Sequence, residues 1–330
     1  MNSDTFYLPD FIGIEITNHC NIKCIICPHG HDLIKDKGYM AFNTFKKIID
    51  EAYISKLKLR KVGLQGIGES LLHPDFVEMA QYGKSKNFFQ QLTTNALFLT
   101  PSKADEIVES NCIDRIEISF DNNSDNYKKY KGGKVYDIIM ENIKYFLSIN
   151  KTIDVYIKFI QYYLDDSFNI SDEVKNTFKD YNVKLVSYNI SSWRGTLKMD
   201  FLPKKVQETL SKQLKEEPDK EKCNNGSKMA MFGWNGDLRS CYLDYNGDLC
   251  FGNINNSTLL NLLLCEERRR FIDNIASGNH KKNIICKDCL SPYNRNAQKI
   301  KIIDQYQEIK EFYGSQNDLY DNCLNNNNNI

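Results

Sequence analysis

Residues 11–28 read F-I-G-I-E-I-T-N-H-C-N-I-K-C-I-I-C-P, a short apolar strand that leads directly into three cysteines. The strand is predicted over Ile12–Thr17, where apolar residues alternate along the chain. The cysteines, Cys20, Cys24 and Cys27, have the spacing C-x₃-C-x₂-C. Three thiolates this close can hold three corners of a 4Fe–4S cube. No fourth cysteine follows within reach, so one iron would keep an open position for binding and activating a small molecule.

Strands and helices alternate along the first 190 residues. The predicted strands are Ile12–Thr17, Lys61–Gln65, Phe89–Thr93, Arg115–Ser119, Ile153–Ile160 and Lys184–Ile190. This order predicts an α/β fold with a parallel sheet, here a partial (β/α)6 barrel. Active sites of such folds lie at the carboxyl ends of the strands. The three cysteines follow the first strand and therefore belong to that edge.

The pattern changes after about residue 200, which predicts a second domain. Residues 1–200 are assigned to the barrel, 201–222 to a charged helical linker, 223–315 to a small hairpin-plus-helix domain and 316–330 to a disordered tail. Two hairpin turns are predicted at Asn235-Gly236 and Asn246-Gly247. A last amphipathic helix is predicted over Ala297–Tyr313. The Asn-rich end of the chain is of low complexity, which is typical of disorder.

Composition excludes several classes of protein. The 43 Lys and Arg residues balance the 43 Asp and Glu residues, so bulk charge indicates neither nucleic-acid binding nor membrane binding. No apolar run is long enough to span a bilayer, and the N-terminus lacks a secretion signal. These features predict a soluble, cytoplasmic protein. The 11 cysteines are an odd number in a large chain, which favours clustered metal ligation over a disulfide framework.

A second group of cysteines lies in the C-terminal region. It consists of Cys223, Cys241, Cys286 and Cys289, the last two as a C-x₂-C pair. Four thiolates leave no open position, which predicts a fully ligated auxiliary 4Fe–4S cluster suited to electron transfer. Zinc is the alternative for this group, and also for the first group if His19, His29 or His31 completes it.

The first cysteine group and three later segments resemble the radical S-adenosylmethionine (SAM) superfamily. Gly66-Ile67-Gly68-Glu69, at the end of the second strand, is similar to the superfamily's GGE-type segment, with Ser70 where proline is usual. The resemblance implies that SAM chelates the open iron and is reductively cleaved to a 5′-deoxyadenosyl radical. The SAM contacts that it implies are Ile26, Gly66, Gly68, Glu69, Thr94, Asn95, Ser119 and Asp121. Ordinary turn capping is the alternative for the polar residues after the third and fourth strands.

The C-terminal block resembles the SPASM/twitch auxiliary domain, in particular at Gly247–Ile254 and at the later C-x₂-C pair. The continuation that would bind a further cluster is missing, so the block is similar to the one-cluster, twitch-sized form. Its cysteine spacing resembles that of the 2-deoxy-scyllo-inosamine dehydrogenase family. The resemblance implies two 4Fe–4S clusters in all, with SAM as cosubstrate.

Three residues near the predicted junction are candidates for catalysis. Arg194 is a candidate for contacting substrate or accepting a proton, by analogy with the dehydrogenase, and a structural arginine is the alternative. Asp244 is the carboxylate nearest to the one that the dehydrogenase carries. Cys250 could donate a hydrogen atom in an epimerase, and a small buried apolar residue is the alternative reading.

The resemblance implies an enzyme that receives an electron from a flavodoxin or ferredoxin and abstracts a substrate hydrogen. Few residues precede the first strand, which leaves no room for a leader-peptide domain there. We therefore expect oxidation of an alcohol carbon in a sugar, cyclitol or nucleotide-sugar, with the auxiliary cluster as electron acceptor. The alternatives are a maturase or epimerase of a ribosomal peptide and a non-catalytic, metal-stabilised binding protein.

Overall fold

The computed structural model describes residues 7–55, 61–121, 123–161, 170–215, 223, 225–289, 299–303 and 309–313. Within these residues the strands form one sheet, in the order β11-β10-β6-β5-β4-β3-β2-β1-β7-β8-β9. The strands are β1 Phe11–Ile14, β2 Lys61–Leu64, β3 Phe89–Thr94, β4 Arg115–Ser119, β5 Asp154–Gln161, β6 Lys184–Asn189, β7 Met229–Phe232, β8 Asp237–Arg239, β9 Cys250–Asn253, β10 Lys299–Ile303 and β11 Ile309–Tyr313.

The described helices are α1 Phe42–Ile54, α2 Phe76–Ser85, α3 Pro101–Ser110, α4 Ser124–Tyr127, α5 Tyr136–Ile149, α6 Asp172–Phe178, α7 Lys204–Lys215, α8 Asn225–Lys228, α9 Leu259–Leu264 and α10 Glu266–Ala276. Helices α1 to α6 lie between the parallel strands β1 to β6 in the chain, and helices and strands share one apolar core. Helix-facing side chains of the strands, such as Ile12, Ile116 and Ile157, are fully buried in the main apolar core. None of the described helices combines the length and the apolar character that a membrane crossing needs.

The barrel prediction is confirmed. Strands β1 to β6 are neighbours in chain order and every pair among them is parallel. Each predicted strand agrees with an observed one to within a few residues at its ends. β7 adds a further parallel strand beside β1, which brings the C-terminal part of the chain onto the same sheet.

Both predicted hairpins are present, and the second has a long connection, residues 240–249, in place of a tight turn. β7 pairs with β8 and β8 pairs with β9, each time antiparallel. The turn glycines Gly236 and Gly247 have φ of +88° and +69°. These backbone angles are strained for other residues, which is why Asn-Gly is a strong turn signal.

The predicted helix over Ala297–Tyr313 is wrong. The described residues of this segment form the antiparallel strands β10 and β11, and β10 pairs with β6 at the edge of the barrel sheet. An open strand edge offers a row of unpaired backbone groups, and this long-range pairing outweighs a local helical periodicity. The division of the chain at residues 200 and 223 stays a prediction, and the predicted tail, residues 316–330, lies outside the described residues.

Candidate functional site

The first cysteine group occupies the loop that follows β1, at the carboxyl edge of the sheet. The loop is held by its own backbone, since Cys27 N–H donates to Cys24 O at 3.1 Å and Gly30 N–H donates to Cys27 O at 2.9 Å. Ile25 N–H also donates to Tyr130 O at 3.0 Å, which fixes the loop to the segment after β4. The three thiols are partly buried.

The electrostatics of these thiols suit a metal-binding group. Burial raises the pKa of Cys20 to about 12 and that of Cys24 to about 11. Burial raises the pKa of Cys27 as well, and the other two thiolates add to the rise. The charge of Lys131 opposes the rise at Cys24, but further positive charge is needed to hold three thiolates here. Iron would supply that charge, because coordinated thiols lose their protons.

Glu69 links the ends of two strands to the cysteine loop. Its fully buried carboxylate accepts hydrogen bonds from Thr94 Oγ1 at 2.8 Å, Asn95 N at 2.7 Å and Leu71 N at 3.2 Å. Its own N–H donates to His19 O at 2.8 Å, next to the first cysteine. Burial raises the pKa of Glu69, and these donors oppose the rise. Glu69 thus fixes the strand ends, and this arrangement uses the carboxylate internally.

The glycines before Glu69 allow the backbones to approach closely. A Cβ at Gly68 would collide with the backbone of Thr17 and His19. A Cβ at Gly66 would come within 2.5 Å of the side chain of Glu15. The predicted G-x-G-E segment therefore lies directly against the cysteine loop, as a cofactor-binding turn requires.

The other predicted SAM contacts lie around the same edge. Asn95 Nδ2 donates to Asn21 Oδ1 at 2.9 Å and lies 3.8 Å from Cys20 Sγ. Ile26 is buried, and its carbonyl accepts a hydrogen bond from Trp193 Nε1 at 2.9 Å. Ser119 ends β4, and Asp121 follows it as a fully buried carboxylate. The structure thus brings these residues to one edge, while their contacts with SAM stay predictions.

The second cysteine group surrounds a cavity of about 390 Å³, including the part open to solvent. Residues that line it are Arg194, Cys223, Asn225, Gly226, Cys241, Leu243, Phe271, Ile275, His280, Ile285, Cys286 and Cys289. Burial raises the pKa of Cys241, and the other three thiolates add to this. All four predicted ligands thus line one cavity, whose accessible lining is mostly apolar.

The residues described do not hold three His, Cys, Asp or Glu side chains close enough together for a single metal ion. In a cubane cluster each cysteine binds a different iron, so the thiolates need not converge on one point. The donor set of both groups, three and four cysteines on loops, therefore fits iron–sulfur clusters.

Two of the three predicted catalytic residues form an ion pair beside this cavity. Arg194 Nη1 lies 3.1 Å from Asp244 Oδ1, and Arg194 Nη2 donates to Asp248 Oδ2 at 2.7 Å. Asp244 is fully buried and also accepts from the backbone N–H groups of Asp248 and Leu249. Asp248 was not predicted as a functional residue. It belongs to the Gly247–Ile254 segment, which was the signal that could have indicated it.

Cys250 lies elsewhere on the hairpin. It begins β9, and its Sγ donates to Gly247 O at 3.2 Å. Burial raises its pKa to about 12. It is not among the residues that line the cavity in the described part of the chain. Its role as a hydrogen-atom donor stays a prediction.

One connection between the two parts of the chain was missed. Glu15, which directly follows β1, accepts from Arg239 Nη2 at 2.8 Å and from Ile67 N at 2.9 Å. Both charged side chains are buried. The pair therefore ties hairpin strand β8 to the Gly66–Glu69 turn, and a buried charge in the predicted strand was the signal that could have indicated it.

Two sequence families match the chain. The radical SAM superfamily matches residues 14–190, which is more than half of the chain, and an iron–sulfur cluster-binding domain of the SPASM type matches residues 223–290. One relative is the tungsten-containing aldehyde ferredoxin oxidoreductase cofactor-modifying protein of Pyrococcus furiosus. It is 33% identical over 114 residues, which are 34% of this chain and 30% of that protein.

Solved structures share the fold. BtrN in complex with AdoMet and 2-DOIA aligns with a TM-score of 0.57 and 16% identity over 92% of this chain and 99% of BtrN. SuiB of Streptococcus suis, bound to the precursor peptide SuiA, aligns with a TM-score of 0.61 and 16% identity over 86% of this chain and 70% of SuiB. At these identities the likeness establishes the fold alone. With its sequence match over more than half its length, the chain belongs to the radical SAM superfamily and carries a SPASM-type iron–sulfur cluster-binding domain.

Proposed function

We propose that this protein oxidises an alcohol carbon of a small hydroxylated substrate, namely a sugar, cyclitol or nucleotide-sugar. A cluster on Cys20, Cys24 and Cys27 would supply the electron that cleaves SAM to a 5′-deoxyadenosyl radical, which removes one hydrogen atom from that carbon. Conversion of the alcohol to a carbonyl then releases one proton to solvent and one electron. The four C-terminal cysteines would hold the cluster that accepts this electron.

The observation that carries the proposal is the cavity that four cysteines line together. Four thiolates would complete the coordination of a 4Fe–4S cluster, which leaves such a cluster to move electrons rather than bind substrate. An electron acceptor of this kind is what a net oxidation needs. The match to almost the whole length of BtrN, whose structure contains AdoMet and 2-DOIA, supports a small-molecule substrate.

The chain's own residues provide the framework for this chemistry. Glu69 fixes the ends of β2 and β3 against the cysteine loop through its three hydrogen bonds. Trp193 holds the carbonyl of Ile26, between the second and third cysteines of that loop. Such fixed positions let a reacting carbon be held near the radical source, which is the protein's contribution in cofactor-dependent catalysis.

The experiment is a transfer of isotope from substrate to cosubstrate. The anaerobically reconstituted and reduced protein is incubated with SAM and with aminocyclitols or sugars deuterated at single alcohol carbons. The proposal predicts deuterium in 5′-deoxyadenosine and a carbonyl product from at least one compound. We expect one 5′-deoxyadenosine for each carbonyl formed. The electrons released from the substrate pass on, one at a time, to an external acceptor.

Modification of a peptide is the second candidate. It is favoured by the structural match to SuiB bound to its precursor peptide SuiA. A precursor peptide that gains a crosslink or an inverted residue, with no turnover of any carbohydrate, would replace the first proposal by this one. Because both reactions start from SAM cleavage, deoxyadenosine formation alone does not separate them, whereas the labelled carbon does.

A further inference from the structure

The segment between β6 and α7 has an unusual backbone. Trp193, Arg194 and Gly195 follow one another with φ of +48°, +63° and +80°. Left-handed angles are uncommon for residues other than glycine and are kept only where the surroundings impose them. Each non-glycine residue in this region costs on the order of 1 kcal/mol. The contacts of the segment must therefore be strong enough to hold it in this conformation.

These contacts reach both cysteine groups. Trp193 Nε1 donates to Ile26 O at 2.9 Å, within the first cysteine loop. A Cβ at Gly195 would lie 2.5 Å from Asp288 O, between the cysteines of the C-x₂-C pair. The left-handed run thus allows three successive residues to reach from one cysteine loop to the other.

Arg194, in the middle of this run, lines the cavity of the second cysteine group. Its side chain is 6% exposed, and its two terminal nitrogens pair with Asp244 at 3.1 Å and Asp248 at 2.7 Å. Its Nε is buried without a hydrogen-bond partner. The two aspartates are not among the cavity-lining residues described. Among the described residues that line the cavity, Arg194 is therefore the one with a permanent charge, and both carboxylates pair with its terminal nitrogens.

We propose that Arg194 raises the reduction potential of the auxiliary cluster through its fixed positive charge. The inference rests on the proposed function, because it requires a cluster on Cys223, Cys241, Cys286 and Cys289. A cluster gains one negative charge on reduction, so a fixed positive charge at its cavity favours the reduced form. Asp244 is held by two backbone N–H groups and a serine hydroxyl, which keeps the arginine in one place.

The test measures the midpoint potential of the auxiliary cluster by electron paramagnetic resonance. It uses the full chain with Cys20, Cys24 and Cys27 changed to alanine, so that one cluster gives the signal. In this background Arg194→Gln is expected to lower the midpoint potential. At a fixed applied potential the ratio of reduced to oxidised cluster should fall about tenfold, which for one electron is about 59 mV. Arg194→Lys keeps the charge and should stay close to the parent.

Lys35→Gln is the matched control. Lys35 pairs with the same Asp248 at 2.8 Å, but its side chain is 68% exposed and it does not line the cavity. Removing this screened charge should leave the potential close to that of the parent. If Arg194→Gln cannot be loaded with iron, Arg194→Gln/Asp244→Asn replaces it, because no buried carboxylate is then left without its cation. A smaller shift in the same direction is expected for the double variant.

Two results would overturn the inference. One is a midpoint potential of Arg194→Gln, or of the double variant, equal to that of the parent. The other is an equal shift in Arg194→Gln and Lys35→Gln, which would indicate a general charge effect. A parent protein that binds no iron at the second group would instead refute the auxiliary cluster itself, and with it that part of the proposed function.

Discussion

A single buried carboxylate organises the edge at which the predicted SAM site lies. Glu69 accepts three hydrogen bonds, two from backbone N–H groups and one from a hydroxyl. Each of its donors loses its water on folding, so the carboxylate is needed to satisfy them. At the level of single residues, a substitution of Glu69 therefore tests both the stability of the fold and SAM cleavage.

We expect Glu69→Gln to lower the free energy of unfolding of the metal-free chain by about 1–3 kcal/mol, since the amide nitrogen cannot accept the bonds of one carboxylate oxygen. Urea unfolding measures this, and 5′-deoxyadenosine formation should fall with it. Glu106→Gln is the control, because Glu106 is exposed and pairs with Lys103 on the surface of α3. Equal unfolding midpoints for the two variants would contradict the role given to Glu69.

His73 predicts a dependence of stability on pH. Its Nδ1 accepts from Asp75 N at 3.0 Å, so Nε2 carries the proton and donates to Met40 O at 3.0 Å. Burial lowers the pKa of His73 from its ordinary 6.5. Below pH 6.5 the unfolded chain binds a proton at His73, whereas the folded chain, with its lower pKa, does not yet bind one. Stability therefore falls as the pH falls below 6.5.

The expected contribution of His73 is up to about 1.4 kcal/mol per pH unit in that range. Urea unfolding of the metal-free chain at about pH 8 and about pH 5.5 measures it. His73→Asn should flatten the dependence, because asparagine can still accept from Asp75 N and does not titrate. His31→Asn, at an exposed position, serves as the control. A His73→Asn profile parallel to that of the parent would show that other groups cause the dependence.

At the level of elements, the segment Ser192–Gly195 joins the two cysteine loops. Trp193→Phe keeps an aromatic ring against Tyr245 but removes the hydrogen bond to Ile26 O. We expect a loss of about 1 kcal/mol in stability and a larger relative loss of SAM cleavage, because the bond holds the loop of the first cysteine group. Isothermal titration calorimetry of SAM with the reconstituted protein separates the effect on SAM from the effect on stability.

Trp234→Phe is the comparison for this prediction, as Trp234 is the other of the 2 tryptophans and packs against Gly38 near the first hairpin. It should change stability without selectively changing SAM binding. A selective loss of SAM binding in Trp234→Phe, with none in Trp193→Phe, would contradict the assignment of the segment.

The parallel strands could be predicted because each contains its own signal. β4 was predicted over Arg115–Ser119, and the structure has these bounds, because alternation of side chains and the following turn mark both ends. β10 and β11 could not be predicted in the same way. Their lysines and isoleucines suit a helix surface and a sheet edge equally, and only the open edge of β6 decides between them.

In the site, too, residues close together in the sequence could be predicted to act together, and residues far apart could not. Cys20, Cys24 and Cys27 lie within one loop, so their spacing alone indicates a shared function. Glu15 and Arg239 are 224 positions apart and meet only because β7 is added beside β1. No spacing rule connects such residues, and the ion pair could be found only once the fold was known.

At the level of the whole molecule, the chain offers two separate cysteine sites on one continuous sheet. We expect about eight iron atoms per chain after anaerobic reconstitution, since each 4Fe–4S cluster carries four. Changing Cys20, Cys24 and Cys27 together to alanine should leave about four, and changing Cys286 and Cys289 together should also leave about four. Iron and sulfide analysis with zinc determination measures this. A chain that binds zinc and no iron would exclude the radical chemistry.

A cluster on the first cysteine loop is expected to bind SAM at an iron that no side chain occupies. The most direct measurement is the electron paramagnetic resonance spectrum of the reduced protein, with Cys286 and Cys289 changed to alanine, before and after SAM is added. We predict that SAM changes the g values of the remaining signal and that 5′-deoxyadenosine then forms. An unchanged spectrum at saturating SAM, in a protein with its first cluster filled, would contradict the account.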